Sequence, residues 1–373
     1  MTGDVLLGVQ GAQSASNRGR GIERYVAEHA AALITEGRSS LAGLHVDDQL
    51  PRPAFLDSLW PAPTILSGPP GQGFRLYHAM SPFEELPLDR IWPVWARPRG
   101  LGLVVTLYDL IPLVYPNDYL VTPWLRTYYK ARLEMLRGAD AVLAISAFAA
   151  EDAVRLLGLH PERLVNISAG CSALFRPGPA EPALPGLREG FLLYVGGLDR
   201  RKNVDRLVEA WASLPEASRP QLVIACRPEP FQARDLRRLA ARLGVAGDLL
   251  LTGFVADQLL IQLYRACRAH IMPSEYEGFG LPALEAMRCG AATLVSDIAP
   301  LRELIPDAEA RFDPGRVDDI ARVIRQAIED TEYLARRRAR AAELAAPYTW
   351  ARVAQRTLAA YEAVRETRSR KVS

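Results

Sequence analysis

The sequence predicts an α/β protein with two doubly wound domains, each built on a mostly parallel sheet with helices on both faces. Three observations lead to this prediction. The 373 residues exceed what a single hydrophobic core usually accommodates, so two domains are expected. Short apolar runs alternate with segments whose apolar residues recur at helical spacing, as parallel sheets require. One stretch rich in proline and glycine, 175–186, interrupts this alternation and separates two complete series.

The composition is that of a soluble globular protein, with 49% hydrophobic and 24% charged residues. A net charge of +2 is too small to indicate a nucleic-acid partner. The four cysteines are far apart without Cys-x-x-Cys spacing, so neither a zinc site nor a disulfide framework is predicted. No signal-peptide pattern opens the chain, and no run approaches the roughly 20 apolar residues that span a bilayer. We therefore expect a cytoplasmic protein whose membrane contact, if any, is peripheral.

The first domain is predicted over residues 1–178 and opens with a strand at 5–9. A polar loop containing Gly19, Arg20 and Gly21 follows, and then a helix, which is the usual opening of a doubly wound domain. Residues 46–73 are rich in proline and read as an irregular insertion. Further strands are predicted at 41–45, 75–79, 101–107, 141–145 and 164–167, with helices at 124–137 and 148–157.

The second domain is predicted over residues 187–348 and repeats the alternation of strands and helices. Its strands are predicted at 191–195, 221–225, 249–251, 270–272, 292–295 and 310–312. Its helices are predicted at 204–214, 231–243, 257–266, 282–288 and 317–330, before a helical run from 330 to about 344. The remaining residues, 349–373, carry an apolar stripe, which predicts a last helix that returns to the first domain, followed by a basic tail.

One loop of the second domain is flanked by two carboxylates, Glu277 and Glu285. Between them lie Gly278 and Gly280, which allow the backbone to come close to a ligand, and Pro282, which suits the start of a helix. The free N–H groups of a first helical turn bind anions. A strand, a glycine loop and a helix start between two acids therefore indicate a site for a phosphorylated, polyhydroxylated ligand.

A second loop of this domain ends a strand in Gly196 and Gly197 and carries three cations at 200–202 where the next helix begins. Asn203 is predicted to cap that helix. Cations are unfavourable at the start of a helix dipole, so this cluster predicts an anionic partner such as a pyrophosphate. The alternative is a solvated run of surface charge.

These motifs resemble the retaining glycosyltransferases of the GT-B fold, in family 4, the glycosyl transferases group 1. The most specific motif reads Glu-Gly-Phe-Gly-Leu-Pro-x-x-Glu-Ala at 277–286, and the segments at 196–203, 18–25 and 144–146 support it. The resemblance covers nearly the whole chain. It implies two Rossmann-like domains facing a cleft, with the acceptor in the first domain and a nucleotide-sugar donor in the second.

The resemblance also implies roles for individual residues. Lys202, with Arg201 or Arg200, would neutralise the diphosphate leaving group. Glu277 would lie beside the transferred sugar, and Glu285 would hold the ribose hydroxyls. The other donor-binding residues that it implies are Gly196, Gly197, Phe254, Val255, Gly278, Phe279, Gly280 and Leu281. Among these, Phe254 and Val255 would meet the base.

Two departures from the family pattern concern this site. Gly197 stands where many relatives have an arginine, and Tyr108 stands where many have a histidine. Asp109 is a candidate for orienting the acceptor or donor, with a turn cap as the alternative, and His78 is an acceptor candidate or a packed histidine. The loop at 19–21 is a further acceptor or phosphate loop. The predicted catalytic residues are Glu277, Lys202, Arg201, Asp109 and Tyr108.

No Asp-x-Asp motif occurs, so no metal is predicted, and no cofactor is expected beyond the nucleotide sugar, GDP- or UDP-linked, as co-substrate. Aromatic and basic residues mix at 92–99 and 124–130, which predicts either packed core or a face for a lipid-linked acceptor at an anionic membrane.

The function predicted from the sequence is retaining, metal-independent transfer of a hexose to a glycan, lipid-linked or small hydroxylated acceptor. The setting is bacterial polysaccharide or glycoconjugate synthesis, with mannose as the first candidate sugar. The alternatives are a nucleotide-sugar epimerase of the same fold and a non-catalytic nucleotide-sugar binding protein. A dinucleotide-dependent oxidoreductase is disfavoured because neither half has Gly-x-Gly-x-x-Gly directly after a strand.

Overall fold

The computed structural model describes residues 3–14, 21–37, 39–59, 64–68, 73–97 and 100–372. Contacts divide the chain into two units. The first contains residues 1–170 and 348–373, and the second contains residues 171–347. No helix in the described part of the chain combines the length and the apolar character needed to cross a bilayer.

The first unit is built on a parallel sheet of seven described strands in the order β3-β2-β1-β4-β5-β6-β7. The strands are β1 Val5–Gly8, β2 Leu41–His45, β3 Ile65–Leu66, β4 Leu76–Ala79, β5 Gly102–Leu107, β6 Ala141–Ala144 and β7 Leu164–Asn166. Strands β1, β2, β4, β5 and β6 are buried along their whole length, as expected of strands covered on both faces. The edge strand β3 was not predicted, because two residues show no periodicity.

The helices of the first unit follow the strands in sequence. They are α1 Gly21–Glu36, α2 Leu88–Ile91, α3 Ile111–Val114, α4 Pro116–Tyr119, α5 Pro123–Gly138 and α6 Ala147–Leu157. The longer helices carry clear end signals: Thr122 caps α5 by accepting from the Leu125 N–H, and α6 ends at Gly158 in the left-handed conformation. The single-turn helices α2 to α4 are too short for an apolar stripe and were not predicted.

The second unit is built on a parallel sheet of six described strands in the order β10-β9-β8-β11-β12-β13. The strands are β8 Leu192–Val195, β9 Leu222–Ala225, β10 Leu249–Gly253, β11 Ala269–Met272, β12 Thr293–Ser296 and β13 Arg311–Phe312. In both sheets the strand order reverses once, between β1 and β4 in the first and between β8 and β11 in the second. Ligands of doubly wound sheets bind outside the carboxyl ends of the strands at such a reversal.

The helices of the second unit are α7 Val204–Ala212, α8 Pro230–Arg242, α9 Asp257–Ala266, α10 Leu281–Arg288, α11 Ala299–Leu304, α12 Val317–Glu329 and α13 Thr331–Ala345. Helix α7 buries Leu207, Val208 and Trp211 in one core cluster with Leu192 and Ile224 of the sheet. The end of α7 is fixed because the Trp211 indole N–H donates to the Pro220 carbonyl at 2.8 Å. This core sets the position of the loop between β8 and α7.

The last helix, α14 Trp350–Val372, belongs to the first unit and packs against α1, which confirms the predicted return. It continues beyond the predicted end near 365, because ion pairs fix its final turns. Arg365 pairs with Asp4, and Arg368 lies 3.0 Å from the carboxylate of Asp140.

The boundary between the units lies earlier than the predicted 178, at residues 170 and 171. The segment after it is held by α9 of the second unit. Arg265 donates to the carbonyls of Arg176 and Pro179 at 2.9 and 3.2 Å, and the Phe175 ring packs against Tyr264. These contacts place residues 171–178 with the second unit, although the sequence pattern had assigned them to the first.

Candidate functional site

The candidate site of the second unit lies where its strand order reverses. Two loops meet there: the β8 loop, residues 196–203, and the β11 loop, residues 273–280. The Glu275 N–H in the β11 loop donates to the Arg201 carbonyl in the β8 loop at 2.7 Å, which joins the two loops through their backbones. The structure therefore brings together the two motifs that the sequence singled out.

Glycine at the start of the β8 loop allows a tight turn over Tyr194. Gly196 has a φ of +153°, and a Cβ at this position would lie 2.7 Å from the Tyr194 hydroxyl oxygen. That hydroxyl donates to the Gly197 carbonyl at 2.5 Å. A 3-10 turn over Arg200–Lys202 follows, and it directs two cations toward the β11 loop.

Glu277 of the β11 loop receives both of these cations. The Lys202 Nζ lies 2.6 Å from Glu277 Oε1, and the Arg201 Nη1 lies 3.2 Å from Glu277 Oε2. Arg201 Nη1 also donates to the Tyr276 carbonyl at 3.0 Å. The three charged side chains are only 9–13% exposed, so solvent screens the cluster weakly.

The charges around Glu277 determine its protonation state. Burial alone would raise the pKa of Glu277, but the charges of Lys202 and Arg201 outweigh burial and hold the pKa below its ordinary value of 4.5. Arg201 also lies 3.8 Å from the half-exposed carboxylate of Asp199. The two loops together hold three cations, Arg200, Arg201 and Lys202, and three carboxylates, Asp199, Glu275 and Glu277, so their formal charges balance.

Helix α10 begins directly after the β11 loop and presents its amino end at the same edge of the sheet. Gly280 precedes it with a φ of +116°, and a Cβ there would lie 2.6 Å from a methyl carbon of Leu301. Pro282 has no N–H, and the N–H groups of Ala283 and Leu284 donate to the Gly280 carbonyl at 3.0 and 3.2 Å, so the helix offers a ligand mainly the positive end of its dipole. The helix starts at Leu281, with Pro282 second rather than first.

Glu285 lies one turn further along α10 and is 7% exposed. The hydroxyl of Tyr264, on α9, donates to Glu285 Oε2 at 3.3 Å. This bond helps to orient the carboxylate. The sequence did not single out Tyr264. It lies among the apolar positions of α9, which predict a core residue, and its polar partner Glu285 is 21 residues away.

The remaining predicted donor residues lie at the same edge of the sheet. Phe254 follows β10, and its side chain is 63% exposed, which leaves the ring free for stacking. Val255 is half-buried and Arg200 is exposed, while Gly278 and Phe279 are buried in the β11 loop.

Asn203 stands before α7, as predicted, but it does not cap that helix. Its backbone is in the left-handed conformation with a φ of +58°, and its side chain makes no cap hydrogen bond. The amide instead donates to backbone carbonyls elsewhere in the unit. The prediction of a helix cap is therefore wrong.

In the first unit, the side chains of Tyr108 and Asp109 already have partners within the unit. The Tyr108 hydroxyl donates to the Met80 carbonyl at 2.9 Å, and burial raises its pKa well above the usual range. Asp109 Oδ1 accepts from the Ile111 N–H at 3.0 Å, which is the turn cap foreseen as the alternative. The contribution of either residue to a ligand site stays a prediction.

His78 is buried in the core of the first unit, so the structure argues against its predicted contact with an acceptor. Its Nδ1 lies 2.6 Å from the Tyr361 hydroxyl and its Nε2 lies 2.8 Å from the Thr106 hydroxyl. Burial, with His29 nearby, holds its pKa well below the ordinary value. His78 therefore joins α14 to the sheet. Gly19 and Arg20 lie outside the described residues, and Gly21 is the exposed first residue of α1.

Within the described ranges, no three side chains of His, Cys, Asp or Glu come together so that they could hold a metal ion.

Comparison with solved structures defines the class of fold. The chain aligns with Alr3699/HepE of Anabaena, in complex with UDP, with a TM-score of 0.71 and 20% identity over 96% of this chain and 99% of that one. It aligns with WaaG, a glycosyltransferase of lipopolysaccharide biosynthesis, with a TM-score of 0.65 and 17% identity over 95% and 98%. The fold is the two-domain α/β GT-B fold.

Comparison of sequences defines the family. The model for glycosyl transferases group 1 matches residues 183–344. The O-antigen chain mannosyltransferase B of Escherichia coli is 31% identical over 277 residues, covering 72% of this chain and 73% of that protein. The serotype-specific mannosyltransferase WbdA of Escherichia coli is 37% identical over 261 residues, or 67% of this chain. The chain spans about a third of the length of WbdA. It belongs to the glycosyl transferases group 1 family.

Proposed function

We propose that the chain is a retaining glycosyltransferase that transfers a hexose from a nucleotide diphosphate sugar to a hydroxylated acceptor. The observation that carries this proposal is the buried cluster in which Lys202 and Arg201 hold Glu277 ionised at the strand reversal. Such a cluster offers cations to a leaving diphosphate and a carboxylate to the sugar that loses it. Bacterial polysaccharide or glycoconjugate synthesis is the proposed setting, because the relatives named above are O-antigen and serotype-specific mannosyltransferases.

The diphosphate is proposed to bind between the β8 loop and the start of α10. Lys202 and Arg201 would bring positive charge to the oxygens that gain negative charge as the glycosidic bond breaks. The positive end of the α10 dipole would act in the same direction. Because these groups are held in place before the reaction, they need little reorganisation during it. On this proposal the leaving group needs no metal ion.

The bond that breaks joins the anomeric carbon to the diphosphate oxygen, and the bond that forms joins that carbon to the acceptor oxygen on the same face. The acceptor proton passes to the departing phosphate oxygen. Glu277 would stabilise the positive charge that develops at the anomeric centre and would accept a hydrogen bond from a sugar hydroxyl. The first role needs an ionised carboxylate, and ionisation also strengthens the hydrogen bond, which agrees with the lowered pKa of Glu277.

The nucleoside is proposed to lie along α10 and β10. Glu285 can accept from two ribose hydroxyls with one carboxylate, and Phe254 can stack on the base. GDP-mannose is the first candidate donor because the relatives named above are mannosyltransferases. A UDP-linked hexose is the second candidate.

Transfer by the purified full chain tests this proposal. We expect GDP-mannose and an α-mannoside probe such as p-nitrophenyl α-mannoside to give a disaccharide whose new anomeric signal by NMR is α, as in the donor. Release of free sugar and GDP in the presence of acceptor would instead favour the epimerase alternative, and neither transfer nor release would favour the non-catalytic binding protein. A β-linked product would contradict retention, and the Lys202→Met variant serves as the control with lowered activity.

Peripheral membrane contact is proposed on a narrower surface than the sequence indicated. Trp92 packs against the Tyr77 ring within the first unit, but Val121 just before α5 and Trp124 in its first turn are 59% and 61% exposed, and Arg126 and Lys130 of the same helix are also exposed. We expect the chain to sediment with anionic vesicles and Trp124→Asp to sediment less. Equal sedimentation of the two proteins would contradict contact through this surface.

A further inference from the structure

Asn203 has an arrangement that its sequence position does not explain. It ends the 3-10 turn that carries Arg201 and Lys202, is 6% exposed, and has a φ of +58° and a ψ of 30°. Among the described residues other than glycine, only Asn203 and Ser168 have a positive φ. Asparagine tolerates the left-handed conformation better than most residues, because its short polar side chain can bond locally.

All the hydrogen-bonding groups of the Asn203 side chain have partners. The amide nitrogen donates to the Pro273 carbonyl at 3.0 Å and to the Pro314 carbonyl at 2.8 Å. The amide oxygen accepts from Arg206 Nη1 at 2.8 Å. Pro273 begins the β11 loop and Pro314 follows β13, so one side chain joins the β8 loop to two others. A carboxamide has the two N–H donors and the acceptor that this arrangement requires.

These bonds connect Asn203 to the ion cluster, which consists of Lys202, Arg201 and Glu277. Lys202 directly precedes Asn203, and Pro273 is four residues before Glu277. The separation of the Lys202 ammonium from the Glu277 carboxylate therefore depends on how the two loops are held together. The Arg201 carbonyl adds the backbone bond to Glu275, and Arg206 adds an ion pair with Glu275.

We infer that Asn203 is a positioning residue, which fixes the spacing of Lys202 and Arg201 relative to Glu277 without contacting the donor itself. This inference rests on the proposed function, because it assigns the cations to the diphosphate. Catalytic groups need their geometry to be held within roughly 0.5 Å, and a displacement of about 1 Å can cost about 100-fold in rate. Asn203 supplies this constraint on geometry because its side chain ties the backbone next to the two cations to the β11 loop.

Two variants separate the side-chain bonds from the backbone conformation. Asn203→Gly retains access to a positive φ but removes the three side-chain bonds. Asn203→Asp retains the size and the acceptor for Arg206, but its carboxylate cannot donate to the two proline carbonyls. The control is Gln221→Ala, because Gln221 is also a buried amide bonded to two backbone groups, at the opposite end of the same sheet.

The readout is the ratio of the affinities for GDP and GMP, or for UDP and UMP, measured by calorimetry and accompanied by kcat. We expect both Asn203 variants to lower this ratio and to lower kcat about 10- to 100-fold, while the affinity for the monophosphate stays within about threefold. Gln221→Ala should lower the unfolding temperature without changing the ratio.

A wild-type ratio and kcat in either folded Asn203 variant would overturn the inference. So would failure of both variants to fold, because Asn203 would then serve the stability of the whole unit. Failure of the proposed function itself looks different: the unaltered protein would then bind neither nucleoside diphosphate.

Discussion

Replacement of Glu285 by glutamine is expected to weaken nucleotide binding about 100-fold. The carboxylate can accept from both ribose hydroxyls, and each hydrogen bond to a charged group contributes about 1.5–3 kcal/mol. Glutamine keeps the shape of the side chain but loses the charge and one acceptor. Glu285 is buried on α10, where the Tyr264 hydroxyl donates to its carboxylate, so its position is fixed before the nucleotide binds.

Calorimetric titration with GDP and UDP checks this expectation. Glu332→Gln is a suitable control, because it makes the same chemical change at an exposed position of α13. The nucleotide affinity of Tyr264→Phe should lie between those of Glu285→Gln and Glu332→Gln, since this change removes only a hydroxyl that helps to orient the Glu285 carboxylate. If Glu285→Gln bound nucleotides as tightly as the unaltered protein, the assignment of the ribose site to α10 would be wrong.

Replacement of Lys202 by methionine is expected to lower kcat about 100- to 1,000-fold. Loss of one fixed group that stabilises developing negative charge typically has an effect of this size. The change also leaves Glu277 with a single cation, Arg201, while burial of the carboxylate remains. Leaving a buried charge with no partner costs about 3–5 kcal/mol; because Arg201 still pairs with Glu277, we expect a smaller loss and a modest fall in the unfolding temperature.

The pH dependence of Lys202→Met gives a second readout. In the unaltered protein the pKa of Glu277 is lowered, so the ion cluster contributes stability above the ordinary value of 4.5 and loses it as the pH falls through the lowered pKa. With Lys202 removed, the pKa of Glu277 should rise. Stability and activity should then begin to fall at a higher pH than in the unaltered protein.

The control for this experiment is Arg238→Met, which breaks an exposed ion pair with Asp235 on α8. Exposed ion pairs contribute little to stability. We therefore expect no change in kcat and no change in the pH at which stability and activity begin to fall on acidification. If Lys202→Met had the pH profile and kcat of this control, Lys202 would have no part in holding Glu277 or the leaving group.

Much of the second unit could be predicted from the sequence because its signals are local. The β8 and β11 loops each combine a buried strand, glycines and a helix start within about 15 residues. The topology of parallel sheets then brings their carboxyl ends to one edge. The motif at 277–286 added the family and hence the expected roles of Glu277 and Glu285.

The features that the sequence did not predict depend on contacts between residues that are far apart in the chain. The amide of Asn203 bonds to carbonyls 70 and 111 residues further along the chain, and His78 bonds to Tyr361, 283 residues away. A helix cap at Asn203 was a reasonable expectation from its neighbours, and for His78 both an acceptor contact and a packed histidine were open; tertiary packing decided both positions. The one-turn helices α2 to α4 escaped prediction because they are too short to show a period.

Calorimetric titration of the full chain with GDP-mannose and UDP-linked hexoses tests the central claim most directly, with Glu285→Gln and Lys202→Met titrated in parallel. We expect saturable binding of at least one of these donors to the unaltered protein and weaker binding to both variants. Binding of none of them, or binding that neither variant weakens, would contradict a nucleotide-sugar site between the β8 loop and α10.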